Sequence, residues 1–150
     1  MLSGRLVHLI ESHQEEITTS VMREMRRHPD LAHFHRLPDA ELRERAQLIL
    51  ENLGKWLSAS YEAEIEQRYQ ALGRMRFEEG IPLHECVRAL SIIKNKMLDF
   101  VHERQLNRTS LELYAEEELE RRVGHFFDAL TIHMVRGYET AWHRAAHAVA

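Results

Sequence analysis

The chain has 150 residues, 44% of them hydrophobic and 29% charged, and its 24 acidic and 20 basic side chains give a formal net charge of −4. That length supports one domain with a real core, and the balance of residue types excludes a disordered chain. Acidic and basic residues are interspersed along it, so no basic footprint for nucleic acid is present.

Six glycines and three prolines leave few places to turn, which favours a few long helices over many strands. The first helix is expected from about Ser3 to His28, where Leu6, Ile10, His13, Ile17 and Val21 recur at spacings of three and four. Pro29-Asp30 stops it, and Leu31 to Arg36 has room for one helical turn. Pro38-Asp39 restarts the chain with Asp39 as the expected N-cap. The second helix then carries Leu42, Ala46, Ile49, Leu53 and Trp56 on one seam and ends near Ser58. Ser60 is placed to cap the third, whose inward face reads Tyr61, Ile65, Tyr69, Leu72 and Met75. Gly80 ends that helix by tolerating the left-handed conformation. Pro82 opens the fourth, which runs to about Gln105 and is the most apolar of them.

After a turn at Asn107-Arg108-Thr109, Thr109 and Glu112 have the spacing of a capping box. No proline follows, so one last helix of up to ~39 residues, ~58 Å long, is expected. The fold class is therefore all-α: a single domain over residues 1–150, an up-and-down bundle of four long helices plus short helical pieces. The single cysteine, Cys86, excludes an internal disulfide and suits a reducing compartment. No apolar run approaches the ~20 residues that span a bilayer. The opening Met1-Leu2-Ser3-Gly4-Arg5 lacks the apolar centre of a secretory signal, which leaves the cytoplasm as the default address.

The stretch from Ala71 to Leu90, with Gly80-Ile81-Pro82-Leu83 at its centre, resembles the N-terminal domain of RsbRD-type co-antagonists, sensory modules of bacterial stress and signalling proteins. Glu15-Glu16-Ile17 with the later Pro29 is similar too, as is Phe126-Phe127-Asp128-Ala129-Leu130 followed by Gly137-Tyr138-Glu139. The resemblance implies a helical sensor domain, globin-like or four-helix-bundle-like, that normally precedes an output module. No output segment is expected within this chain, and the resemblance supplies no catalytic residue. It implies action through a signalling partner protein.

Eleven histidines are the oddest feature of the composition. His133 falls on the seam Leu119, Val123, Phe126, Leu130, His133, Gly137 of the last helix, and His13 on the seam of the first. Two readings stand for each. The imidazole hydrogen-bonds a neighbour inside the core, or it lines a ligand pocket, with axial ligation of haem iron as the most specific version. Gly137 beside His133 leaves room for a planar ligand or permits close helix packing. Phe126 and Tyr138 flank the same place. His143 and His147, four apart, share a helix face and form a weak candidate metal pair that lacks further ligands at matching spacing. Phe127, Tyr138 and Trp142 suggest a second stripe on the last helix, a surface for a homodimer or for relay.

No Glu-x-x-His pair recurs as a di-iron site requires. Cys86 sits in an apolar helix where a thiol is unreactive. No phosphate loop, Gly-x-Ser-x-Gly or Cys-x-x-Cys is present, so no enzyme is expected. Arg74, Arg76 and Arg88 have Glu78, Glu79 and Glu85 as local ion-pair partners.

Overall fold

Two of the expected long helices are each broken once, and in both cases a side chain makes the break. The computed structural model describes residues 2–105 and 109–149; the turn expected at Asn107-Arg108 lies outside them. The chain forms α1 (Gly4–Ser12), α2 (Gln14–Arg27), α3 (Asp39–Glu51), α4 (Leu53–Trp56), α5 (Glu62–Glu78), α6 (Leu83–Arg104) and α7 (Ser110–Val149). Tight 3-10 turns at Pro29–Leu31, Phe34–Arg36 and Ala59–Tyr61 connect them, and no strand occurs among the described residues. The all-α expectation is met.

The break between α1 and α2 is at His13, where φ is −115° and ψ 26°. The His13 backbone N–H bonds Ile10 O at 3.2 Å instead of the Leu9 carbonyl a continuous helix would use. The freed Leu9 carbonyl accepts from His13 Nδ1 at 2.9 Å, so the imidazole satisfies the group that the kink orphans. Asn52 repeats the device between α3 and α4: its Nδ2 donates to Leu48 O at 2.8 Å. Glu11 then caps α4, accepting from the Gly54 N–H at 3.0 Å, and ties the two kinked segments together.

Other local signals work as the residues suggest. Gly80 has φ 76°. The Ile81 N–H returns to Arg76 O and the Gly80 N–H to Phe77 O, both at 3.0 Å, which is a Schellman turn. The Thr109 and Glu112 side chains and backbone N–H groups bond reciprocally at 3.2 Å, closing the capping box. Three cap positions differ from expectation. Pro38 rather than Asp39 precedes α3, leaving the Asp39 carboxylate to pair with Arg26. Ser58 rather than Ser60 caps, on the 3-10 turn before α5. Pro82 sits just outside α6.

Ion pairs fix the directions of the helices. Glu16 meets Arg104 and Asp30 meets Arg88, so α2 and α6 are antiparallel. His102 meets Glu116 near one end of α6 and Cys86 lies with Met134 near the other, so α6 and α7 are antiparallel as well. The most extensive contact is between α5 and α7, which run parallel: Gly73 lies against Met134 and Tyr138, and Phe77 against Tyr138. The core is continuous from Ile10 and Ile17 through Leu50, Leu53 and Met97 to Leu119 and Leu130.

Candidate ligand cleft and the polar core beside it

Helix α7 carries Arg122, His125, Phe126, Ala129 and His133 on one flank, and that flank lines a cleft of about 420 Å³. Across it stand Trp56, Leu57 and Ser58 from the α4 end, with Glu62, Ile65 and Glu66 from α5. His133 was expected on the buried seam. Instead Met134 takes the seam position, 1% exposed, and His133 falls half-buried at its edge. At 3.6 residues per turn, a seam read at alternating fours and threes drifts by one position after a few turns.

His133 Nδ1 is buried without a hydrogen-bond partner. With Nδ1 buried, Nε2 is the ring nitrogen through which His133 can meet a ligand. Phe126 is buried in the floor, edge-on to Phe127 with ring centroids 5.4 Å apart.

His13 does not join His133. It lines a separate groove, between α1 and the α6–α7 end, with His8, Ser12 and Arg104. Its ring packs on Phe100 at 5.3 Å, and its Nδ1 is held by Leu9. The two imidazoles therefore do not face one interior.

Of the two readings of Gly137, close packing is the one observed. A Cβ there would lie 1.9 Å from Gln70 O, and one on Gly73 would lie 2.0 Å from Met134 O, so the backbones of α5 and α7 touch at this point. Tyr138 donates from its hydroxyl to Ile81 O at 2.7 Å and so pins the Schellman turn. Burial raises the pKa of that hydroxyl above its ordinary value. The expected second stripe does not form, because Phe127 is buried in the core, Tyr138 is bound to the turn, and only Trp142 is exposed. His143 and His147 are both exposed near the end of α7, with His147 Nδ1 on His143 O at 2.8 Å. No cluster of three or more metal-ligating side chains occurs among the described residues.

Two of the charged side chains that the core buries, Arg76 and Glu85, come from α5 and α6. Glu85, 1% exposed, accepts from the backbone N–H of His33 at 2.9 Å and of Phe34 at 3.1 Å. It also pairs with His33 Nδ1 at 2.5 Å. Arg76, 3% exposed, bonds Glu79 at 2.8 Å and lies 2.9 Å from Glu41. Its guanidinium also stacks over Phe34 at 5.4 Å. The local Arg76–Glu79 pair follows the helical spacing. Glu85 was expected to pair locally too, but it serves the segment after Pro29, while Arg88 faces Asp30.

Cys86 lies beside this network, and burial pushes its thiol up to about 12 from 9.0, with Glu85 adding to the shift and Arg76 opposing it. Burial raises Tyr69 as well, against Arg45 and Arg68. Both are acids whose neutral form the core prefers, so their folded pKa values exceed the unfolded ones. Their contribution to stability is complete below the unfolded value of 9.0 for the thiol and is lost as pH rises toward about 12. Between pH 9 and 10 the thiol alone should cost about 1 kcal/mol. Urea denaturation should therefore show stability falling across that interval, with a flatter slope in Cys86→Ala. An unchanged slope would exonerate the thiol.

No helix among the described residues is long and apolar enough to cross a membrane. No curated protein and no solved structure gives a significant match to the chain. A family model, that of the RsbT co-antagonist protein rsbRD N-terminal domain, matches residues 15–149. That span takes in the cleft, the glycine contact and the buried polar core, and the chain accordingly belongs to the family of RsbT co-antagonist rsbRD N-terminal domains.

Proposed function

We propose that this stress-signalling domain is a cytoplasmic receiving module that works by binding and has no catalytic activity of its own. A small molecule occupies the His133 cleft, and a signalling partner protein reads the result from a homodimer. The observation that carries the reading is the cleft itself: an apolar floor of Trp56, Ile65 and Phe126, an imidazole whose Nδ1 is buried without a partner, and Arg122 at the far end. Concave apolar sites with a few polar groups are where small molecules bind. The nucleophile with the best chemistry, Cys86, is held protonated in the core, which supports binding over covalent catalysis. Exposed Tyr114, Ile132 and Trp142 on α7 supply apolar surface for a protein contact.

The test is an absorption and native mass spectrum of the protein purified from its own host, before and after stress. A retained small mass on a dimer is the expected result, and a Soret band lost in His133→Ala would identify that mass as haem. A chain carrying neither ligand nor partner in either state would sink the proposal. Light scattering that gives a strict monomer at high concentration would remove the dimer.

A further inference from the structure

We infer that the α5–α7 cleft takes an elongated monocarboxylate with an apolar body and a hydroxyl at its far end, the carboxylate on Arg122 and the hydroxyl on His133 Nε2. This rests on the reading of the cleft as the receiving site.

Depth sorts the lining. Trp56, Ile65 and Phe126 are buried and form an apolar floor, whereas Glu62 and Glu66 are exposed on the rim. The half-buried polar groups between floor and rim are Arg122 and His133, with His125 exposed beside them. Arg122 uses one N–H, to Ser3 Oγ at 2.7 Å, and has no other partner among the described residues. Its remaining donors suit a carboxylate. His133 Nδ1 is buried without a partner, so the ring meets a ligand through Nε2, and a hydroxyl, which both donates and accepts, pairs with that nitrogen in either tautomer.

Arg122 and His133 stand eleven residues apart on α7, or about 16 Å along the axis. One carboxylate does not serve both, so the ligand is long, with its apolar middle passing Ala129 opposite Ile65. The rim carboxylates set the charge limit: a phosphate-bearing or dianionic ligand would meet Glu62 and Glu66 without enough cations to offset them.

The experiment titrates the full chain, carrying Trp142→Phe so that Trp56 is the only fluorophore of its kind, with 10-hydroxydecanoate, decanoate and 1,10-decanediol below their micellar concentrations. The expected order is the hydroxy acid tightest, with the diol at least tenfold weaker. Arg122→Gln should weaken both acids tenfold or more and leave the diol unchanged. His133→Phe should erase the preference for the hydroxy acid over decanoate. Ala129→Trp, which fills the middle of the cleft and is read by calorimetry because it adds a second tryptophan, should block all three, and circular dichroism checks that each variant folds.

A diol binding as tightly as the acids, an Arg122→Gln variant with no loss, or no saturable change at all would each overturn the assignment. A natural mass that the host protein retains and that Ala129→Trp expels would keep the cleft as receiving site even then. A retained mass indifferent to Ala129→Trp would remove the receiving site itself.

Discussion

Gly137→Ala should lower the free energy of unfolding by about 3 kcal/mol or more, the upper end of what overpacking costs. The new methyl would sit 1.9 Å from the Gln70 carbonyl oxygen, and 2.6 and 2.7 Å from two further backbone atoms of the same residue. Backbone within a helix cannot rotate aside as a side chain can, so α5 and α7 must separate along their whole contact, which is the most extensive in the molecule. Alanine's better helix propensity returns only about 1 kcal/mol. Gly124→Ala is the control: a Cβ there meets nothing within 4 Å, so that variant should gain up to about 1 kcal/mol. Urea denaturation of both measures the difference. A neutral Gly137→Ala would mean that the two helices lie further apart than described.

Glu85→Ala should cost about 2–4 kcal/mol, the loss of hydrogen bonds to a buried charged acceptor. It removes the acceptor for two backbone N–H groups and the partner of the His33 imidazole at once, and the Phe34 N–H is too deep for water to replace it. Glu85→Gln separates the parts. Its amide oxygen still accepts from His33 and Phe34, while the charge facing the imidazole is gone, so the loss should be at most about half as large. Equal losses in the two variants would assign the whole effect to the carboxylate's charge and none to the backbone bonds.

What the sequence made legible was local. The Gly80 turn, the Thr109–Glu112 box and the Arg76–Glu79 pair each close within a few residues, so spacing alone identifies them. The breaks at His13 and Asn52 carry neither glycine nor proline. They depend on a side chain reaching a carbonyl four residues back, which any helical His or Asn has in range but few use. Glu85 and His33 are 52 residues apart, and nothing in either neighbourhood names the other. The candidate site divides the same way. His133, Phe126, Gly137 and Tyr138 were all legible as residues of one helix region, but only two of them line the cleft. Arg122 and Trp56 were missed as lining because a cleft between helices is defined by register. The stretch that carried the family resemblance builds the Schellman turn and two buried charged side chains, Arg76 and Glu85, which is why its pattern is so distinctive.

The parallel contact between α5 and α7 also bears on how the chain folds. Gln70 and Gly137 are 67 residues apart in sequence, with the whole of α6 between them. An ordinary helical bundle gathers most of its contacts from neighbouring antiparallel helices and folds quickly for that reason. Here the tightest seam closes a loop of that size, and its closure entropy must be met before the two glycines can come together. Stopped-flow refolding should accordingly be slower than for an up-and-down hairpin bundle of equal length. The α5–α7 seam should zip late, after α6 has docked on α2, so that Gly137→Ala speeds unfolding far more than it slows folding.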